Sequence, residues 1–385
     1  MSKTIRVAMI IQAYHPHVGG AERQLMALVP LLQERGVEVS ILTRRYTGLK
    51  PFEMIGGAPV YRLPIPGPKP MASLAFTVAA LPLLRRLRPH VLHAHELLSP
   101  TTTAVAAKRL FTIPVVAKVL SGGSAGDLAK LQNKPFGQKR LATFRQQVDA
   151  FITISQEIDE ELSAVGIPPE KRPFIPNGVD TQRFQPASLQ AKQALRTQLN
   201  LPQGPVALFM GRLVRQKRLD QLVGIWPQVV AAHPQANLLI AGTGEEEALL
   251  RQMAGPGVHF IGRIDDVVPY LQTADLFILP SAHEGLSNAL LEAMVTGLPS
   301  LATAIGGAPD VIEHDQRGWL TPPEDPKALS EAIILLLGDA ERRAKFSRLG
   351  REYVLQNYGL PQTAERLVTL YRQVQQPQLQ LGEIL

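Results

Sequence analysis

Two glutamates eight positions apart, Glu284 and Glu292, stand in the stretch EGLSNALLEAM, and two cations five apart, Arg212 and Lys217, stand in GRLVRQK. Carboxylates are suited to gripping sugar hydroxyls. Paired cations are suited to phosphate charge, each charge-assisted hydrogen bond contributing about 1.5–3 kcal/mol. His93 and His95 alternate with Leu92 and Ala94, so both project from one face at a strand's end as acid/base or sugar-contacting groups. Spacing alone leaves each set open. Glu292 reads equally as a solvated helix glutamate, the cations as surface residues in a stretch also holding Arg215 and Arg218, and both histidines as structural, since no partner set has metal-ligand spacing.

The elements that must position these residues follow from apolar patterning. Ala274 to Pro280 is a short apolar run bounded by a turn, the pattern of a parallel strand buried on both faces. Ser281 to Leu286 reads as a loop, and Ser287 as the N-cap of a helix from Asn288 to Val295 that Gly297 and Pro299 end. The helix thus starts at the strand's carboxyl end, where open parallel sheets bind ligands and free N–H groups suit a phosphate. Its dipole contributes roughly 0.3–2 kcal/mol.

The same theme recurs along the chain. Arg6–Tyr14, Val37–Leu42, His90–His95, Pro114–Val119 and Ala150–Ile154 read as strands separated by helical segments, which predicts a Rossmann-like α/β domain. Gly19 and Gly20 fall at its first strand-to-helix turn, where glycine permits close ligand approach. Val206–Met210, Asn237–Ala241, VHFIG and Pro299–Thr303 repeat the pattern, with Gly306 and Gly307 at the last turn. At 385 residues, two domains are expected: 1–180 and 206–355, joined by a Gln/Ala/Pro-rich connector with a short helix at 181–205, and followed by a helix and polar tail at 356–385.

Composition excludes several classes. Without cysteine there is no disulfide framework, thiolate nucleophile or Cys-based metal site, which fits a reducing cytoplasm. The apolar stretch Met71–Leu84 is interrupted by Pro82 and falls short of the roughly 20 residues that span a bilayer, and no signal peptide is read at the start. Residues 1–180 hold 22 Lys and Arg against 13 Asp and Glu, whereas 181–385 hold 18 against 20. A basic first half fits an anionic partner such as a phospholipid surface, with Arg85, Arg86 and Arg88 closing an apolar helix, or else ordinary solvated charge. Nucleic acid is not expected, because aromatic and basic residues are not interleaved.

EGLSNALLEAM resembles the donor-binding signature of family-4 glycosyltransferases, retaining enzymes of the GT-B fold. GRLVRQK and the junction PNGVD are similar to that family's patterns too. The resemblance implies two Rossmann-like domains facing across a cleft, with a C-terminal helix returning to the first. It implies a nucleotide-diphosphate sugar as donor, bound by the second domain, and a sugar or lipid-linked acceptor on the first, with cytoplasmic or peripheral membrane location and no cofactor. By the same resemblance, Arg212 and Lys217 stabilise the departing diphosphate and Glu284 orients the sugar. Leu286, Ser287, Asn288 and Ala289 bracket the helix start that faces the phosphates, Glu292 binds the ribose, and Arg263 and Ile264 meet the base. His95 would contact substrate. The chain departs from the family at Leu120, where many members place a donor-contacting histidine, so either backbone N–H groups of Ser121, Gly122 and Gly123 serve the cleft instead or that contact is missing. Metal-independent transfer is expected, no Asp-x-Asp pair being present. The alternatives are a sugar-nucleotide epimerase of the same fold, which needs no acceptor, and a non-catalytic nucleotide-sugar-binding paralogue.

Overall fold

The computed structural model describes residues 4–17, 19–65 and 69–382. The chain divides into two compact units, Met1–Asn177 with Leu360–Leu385, and Gly178–Gly359.

The first unit is built on a seven-stranded sheet of β1 (Ile5–Ile10), β2 (Val37–Arg44), β3 (Phe52–Ile55), β4 (Ala58–Leu63), β5 (Val91–His95), β6 (Val115–Lys118) and β7 (Ala150–Ile152), in the order β3-β4-β2-β1-β5-β6-β7. All neighbours are parallel except the β3–β4 hairpin. That hairpin was not expected from the sequence. It turns at Gly56 and Gly57, both at positive φ, and β3 lies at the edge with Phe52 and Met54 exposed, so its apolar pattern is weak. Central strands are buried on both faces, β5 throughout although it carries His93 and His95.

Helices α1 (Gly20–Glu34), α2 (Lys69–Leu87) and α3 (Ser99–Phe111) flank this sheet. The helix Leu360–Gly382 belongs to the same unit and packs on α1, burying Leu367, Val368 and Tyr371. It continues through Gln375 to Gly382, where a polar tail was expected. Its Gln-rich end carries good helix formers, so polarity there does not mean loss of helix.

The second unit has six parallel strands, β8 (Val206–Met210), β9 (Asn237–Ala241), β10 (Val258–Gly262), β11 (Leu276–Leu279), β12 (Ser300–Thr303) and β13 (Trp319–Thr321), ordered β10-β9-β8-β11-β12-β13. The segment 181–205 is tied into this unit rather than standing apart. Lys192 on the helix Leu189–Gln198 donates to Asp275 Oδ1 at 2.7 Å, and Arg196 donates to the Gly204 carbonyl at 2.7 Å. Strand order reverses between β8 and β11, and ligands of open parallel sheets bind outside the carboxyl ends at such a switch point.

Candidate active site

At that switch point the loops following β8 and β11 meet. Ala282 N–H donates to the Gln216 carbonyl at 2.8 Å, which docks the second loop on the first. Lys217, at the end of a single 3-10 turn, then reaches Glu284: its ammonium donates to Oε1, and both side chains are only 13% exposed. Ser281 Oγ donates to the same oxygen at 2.8 Å. Ser281 is itself fixed, because its carbonyl accepts from Thr303 Oγ1 at 2.5 Å at the end of β12. Spacing within one motif did not reveal Ser281 and Thr303, whose role depends on neighbouring strand ends.

The helix Asn288–Val295 begins just beyond, with Ser287 as N-cap accepting from Leu290 N–H at 3.4 Å. Leu286 is buried beneath the turn, while Asn288 and Ala289 are half-buried in the first helical turn. Glu292 is half-buried one turn farther on. Arg212 lies exposed in the loop after β8. Arg263 and Ile264 follow β10; the Arg263 side chain is 71% exposed, with Asp265 at 3.8 Å. All of these residues belong to one unit. Among the residues singled out from the sequence, the structure brings Lys217 of the cation pair into direct contact with Glu284 of the glutamate pair.

Glycines make this assembly possible at two points. Gly306 has φ +55, and a Cβ there would lie 2.6 Å from the Gly285 carbonyl oxygen. The adjacent Gly307 N–H donates to that same carbonyl at 2.6 Å, so the backbone after β12 lies directly against the Glu284 loop. Gly242 lies still closer to the loop carrying Arg212, its Cβ position 1.8 Å from the Gly211 carbonyl oxygen.

The predicted residues of the first unit are arranged differently. Gly19 N–H, expected to face a ligand, donates to Glu22 Oε2 at 2.8 Å, and Gly20 opens α1. Gly123 N–H donates to Glu161 Oε1 at 2.5 Å, and Gly122 is buried beside Ile158. Thus the Gly19 and Gly123 donors are already engaged by carboxylates from neighbouring helices. Leu120 N–H, at the position corresponding to the family's histidine, donates to Asp127 Oδ2 at 3.0 Å.

His95 is buried and stacks on His93 with ring centroids 4.4 Å apart. His93 Nδ1 shares a hydrogen bond of 2.7 Å with the Tyr371 hydroxyl. Lys118 stands opposite His95 in the β5–β6 register and donates to Asn177 Oδ1 at 2.8 Å. Burial, with the Lys118 charge adding to it, holds His95 down to about 3. Burial also lowers Lys118 to about 8. Both histidines are therefore neutral near pH 7, His93 being lowered chiefly by burial, so neither is a ready general acid.

Glu96 follows immediately at φ +90, a sparsely populated conformation for a non-glycine residue, with Gln12 Nε2 donating to its Oε2. Burial, reinforced by Asp127, pushes its carboxyl up to about 7. Asp127 is also raised by burial. No spacing signal marks Lys118, Glu96 and Asp127 in the sequence, and separate strands and loops bring them together. The carboxyl ends of β1, β5 and β6 thus carry a second polar cluster, whose buried carboxyls are suited to hydroxyl groups rather than anions.

Residues 204–339 match the family described as Glycosyl transferases group 1, and residues 18–183 match Glycosyltransferase Family 4. A GDP-mannose-dependent monoacylated alpha-(1-6)-phosphatidylinositol monomannoside mannosyltransferase of Corynebacterium glutamicum is 35% identical over 250 residues, 61% of this chain and 65% of that one. An uncharacterized glycosyltransferase of Methanocaldococcus jannaschii is 27% identical over 96% of this chain and 98% of its own. Among solved structures, sucrose-phosphate synthase from Thermosynechococcus elongatus superposes with a TM-score of 0.82 at 23% identity, covering 96% of this chain and 99% of that one. The fold is GT-B, as the sequence resemblance implied.

Proposed function

This chain belongs to family 4 of the glycosyltransferases, and from that premise we propose that it moves a sugar from a nucleoside-diphosphate sugar to an acceptor hydroxyl with retention of anomeric configuration. The observation that carries the reading is the Lys217–Glu284 pair at the carboxyl ends of β8 and β11, beside the start of the Asn288–Val295 helix. In that setting Lys217 and Arg212 stabilise the diphosphate as the glycosidic bond breaks, and helix N–H groups from Ser287 to Ala289 face its phosphates. Glu284, its Oε1 engaged by Lys217 and Ser281, turns its other oxygen to the sugar, while Glu292 takes the ribose hydroxyls. These cations supply the positive charge, and the reaction is proposed to proceed without a metal. The departing phosphate oxygen accepts the acceptor's proton as the new bond forms on the same face.

The first unit is assigned to the acceptor, and glycolipid or polysaccharide assembly is the proposed setting. A lipid-linked acceptor is supported by the phosphatidylinositol mannoside in the corynebacterial relative's name, and GDP-mannose is accordingly the first donor to try. The test is transfer of labelled sugar from UDP-, GDP- and ADP-sugars into a membrane-lipid extract, with Arg212→Ala/Lys217→Ala as control. Label in lipid that the control loses is the expected result. Donor conversion without any acceptor would replace the reading with an epimerase, and donor binding without turnover on lipid or soluble acceptors would replace it with a binding protein.

A further inference from the structure

Arg218, the residue after Lys217, takes φ +50 and ψ +38, the left-handed region that an L side chain rarely adopts. Glu324, in the loop after β13, takes φ +58. Among the described residues, eight other than glycine have positive φ, and these two are joined to each other: Arg218 Nη1 donates to Glu324 Oε1 at 2.7 Å. Glycine would meet the backbone demand at either position without strain, so the reason for arginine and glutamate lies in their side chains.

Their neighbours stiffen the pair. Asp220, in the first turn of the helix Leu219–Ala232, accepts from Arg218 Nε at 3.2 Å and from Nη2 at 3.3 Å, a fork that leaves Nη1 directed to Glu324. Pro322 and Pro323 precede Glu324 with fixed φ, and Asp325 follows as the cap of the helix Pro326–Gly338, accepting from Ala328 N–H at 2.9 Å. An isolated exposed ion pair contributes little, but Glu324, though 66% exposed, stands on stiff backbone, and Arg218 is only 22% exposed within a three-member network. The short turn Arg215–Lys217 is thereby held on two sides. The Gln216 carbonyl accepts from Ala282 in the loop after β11, and Arg218 reaches the loop after β13. Lys217 stands between these anchors, its ammonium on Glu284.

We propose that Arg218 and Glu324 are positioning residues, a clamp that holds the Lys217 turn so that its ammonium stays on Glu284 and within reach of the departing diphosphate. Both act through Lys217 rather than on the substrate. The kinetic consequence rests on the assignment of Lys217 to that diphosphate, whereas the clamp itself does not.

Arg218→Gly, Glu324→Gly, Arg218→Lys and Lys217→Ala in the full chain are compared with the parent for thermal unfolding, lysine labelling and sugar transfer. Glycine adopts either positive φ without strain, so both glycine variants remove the clamp yet should keep Tm near or above the parent value. The rate at which acetic anhydride labels Lys217, followed by peptide mass spectrometry, is expected to rise about threefold or more in both, as the turn opens locally. In transfer, kcat is expected to fall about five- to tenfold with donor KM within about twofold, because Lys217 acts chiefly as the glycosidic bond breaks. Arg218→Lys keeps a charge for Glu324 without the fork and should lie between the parent and Arg218→Gly in both readouts. Tm and kcat falling together, or Lys217 labelled at the parent rate in both glycine variants, would overturn the proposal. So would an unchanged kcat in Arg218→Gly where Lys217→Ala loses transfer. A parent that transfers no sugar would bring down the proposed function instead, and the labelling would still decide the clamp.

Discussion

Lys217 and Glu284 meet as a largely buried ion pair, and Ser281 donates to the carboxylate oxygen that Lys217 also holds. Such a pair gains little net stability, because desolvation offsets most of the attraction, but it fixes both side chains. Lys217→Ala and Glu284→Ala are each expected to lower transfer about 10²–10³-fold, the scale of losing one preorganised electrostatic contact. Because each positions the other, the double variant should lose little more than the worse single one. Initial rates on the four proteins of the cycle check this, and multiplying losses would show that the two residues act separately.

The two glutamates should part company in kinetics. Glu284→Ala is expected to reduce turnover while leaving nucleotide affinity near the parent value, because its carboxylate is assigned to the sugar. Glu292→Ala is expected to weaken nucleoside-diphosphate binding about tenfold, the equivalent of one charge-assisted hydrogen bond. Calorimetric titration with the nucleotide, beside kcat for transfer, separates them; unchanged transfer in both would remove the assignment.

Gly306 is expected to resist substitution although it carries no chemistry. Its φ is +55, and a Cβ would stand 2.6 and 2.7 Å from the carbonyl oxygens of Gly285 and Glu284, rigid backbone on both counts. Gly306→Ala combines left-handed strain of roughly 1–2 kcal/mol with displacement of the Glu284 loop. Donor affinity should fall by more than the change in Tm accounts for, measured on one preparation by titration and by thermal unfolding.

The strands Val206–Met210 and Asn237–Ala241 were legible to the residue because parallel strands buried on both faces leave unbroken apolar runs. The helix after Glu284 was legible from Ser287 and Gly297, residues whose local chemistry starts and stops a helix. What escaped was either at an edge or non-local. β3 and β4 form an edge hairpin with a half-exposed pattern, and the three-residue β13 is only partly buried. Lys118 lies beside His95 only through the β5–β6 register, and Ser281 reaches Thr303 only through the end of β12. Residue spacing carries no trace of such register. The engagement of Gly19 by Glu22 and of Gly123 by Glu161 shows the converse, glycines whose position suggested a ligand but whose N–H groups the fold itself satisfies.

Glu96 links the second polar cluster to pH. Burial and Asp127 raise its carboxyl from an ordinary 4.5 to about 7, against the smaller lowering effects of Gln12, Lys130 and Arg44. A carboxyl raised in the folded state keeps its proton where the unfolded chain has lost it. Its contribution is therefore complete below the ordinary carboxyl range and is lost as pH climbs from about 4.5 through about 7. Glu96→Gln stays neutral at every pH and keeps an oxygen to accept from Gln12, so it should be close to neutral for stability at pH 4. At pH 8 it should be the more stable protein, by about 1–3 kcal/mol, because only the parent must bury an ionised carboxylate there. Urea unfolding of parent and variant at both pH values measures the difference. A gap independent of pH would mean that the Glu96 carboxyl titrates alike in the folded and the unfolded chain, so that burial does not raise it.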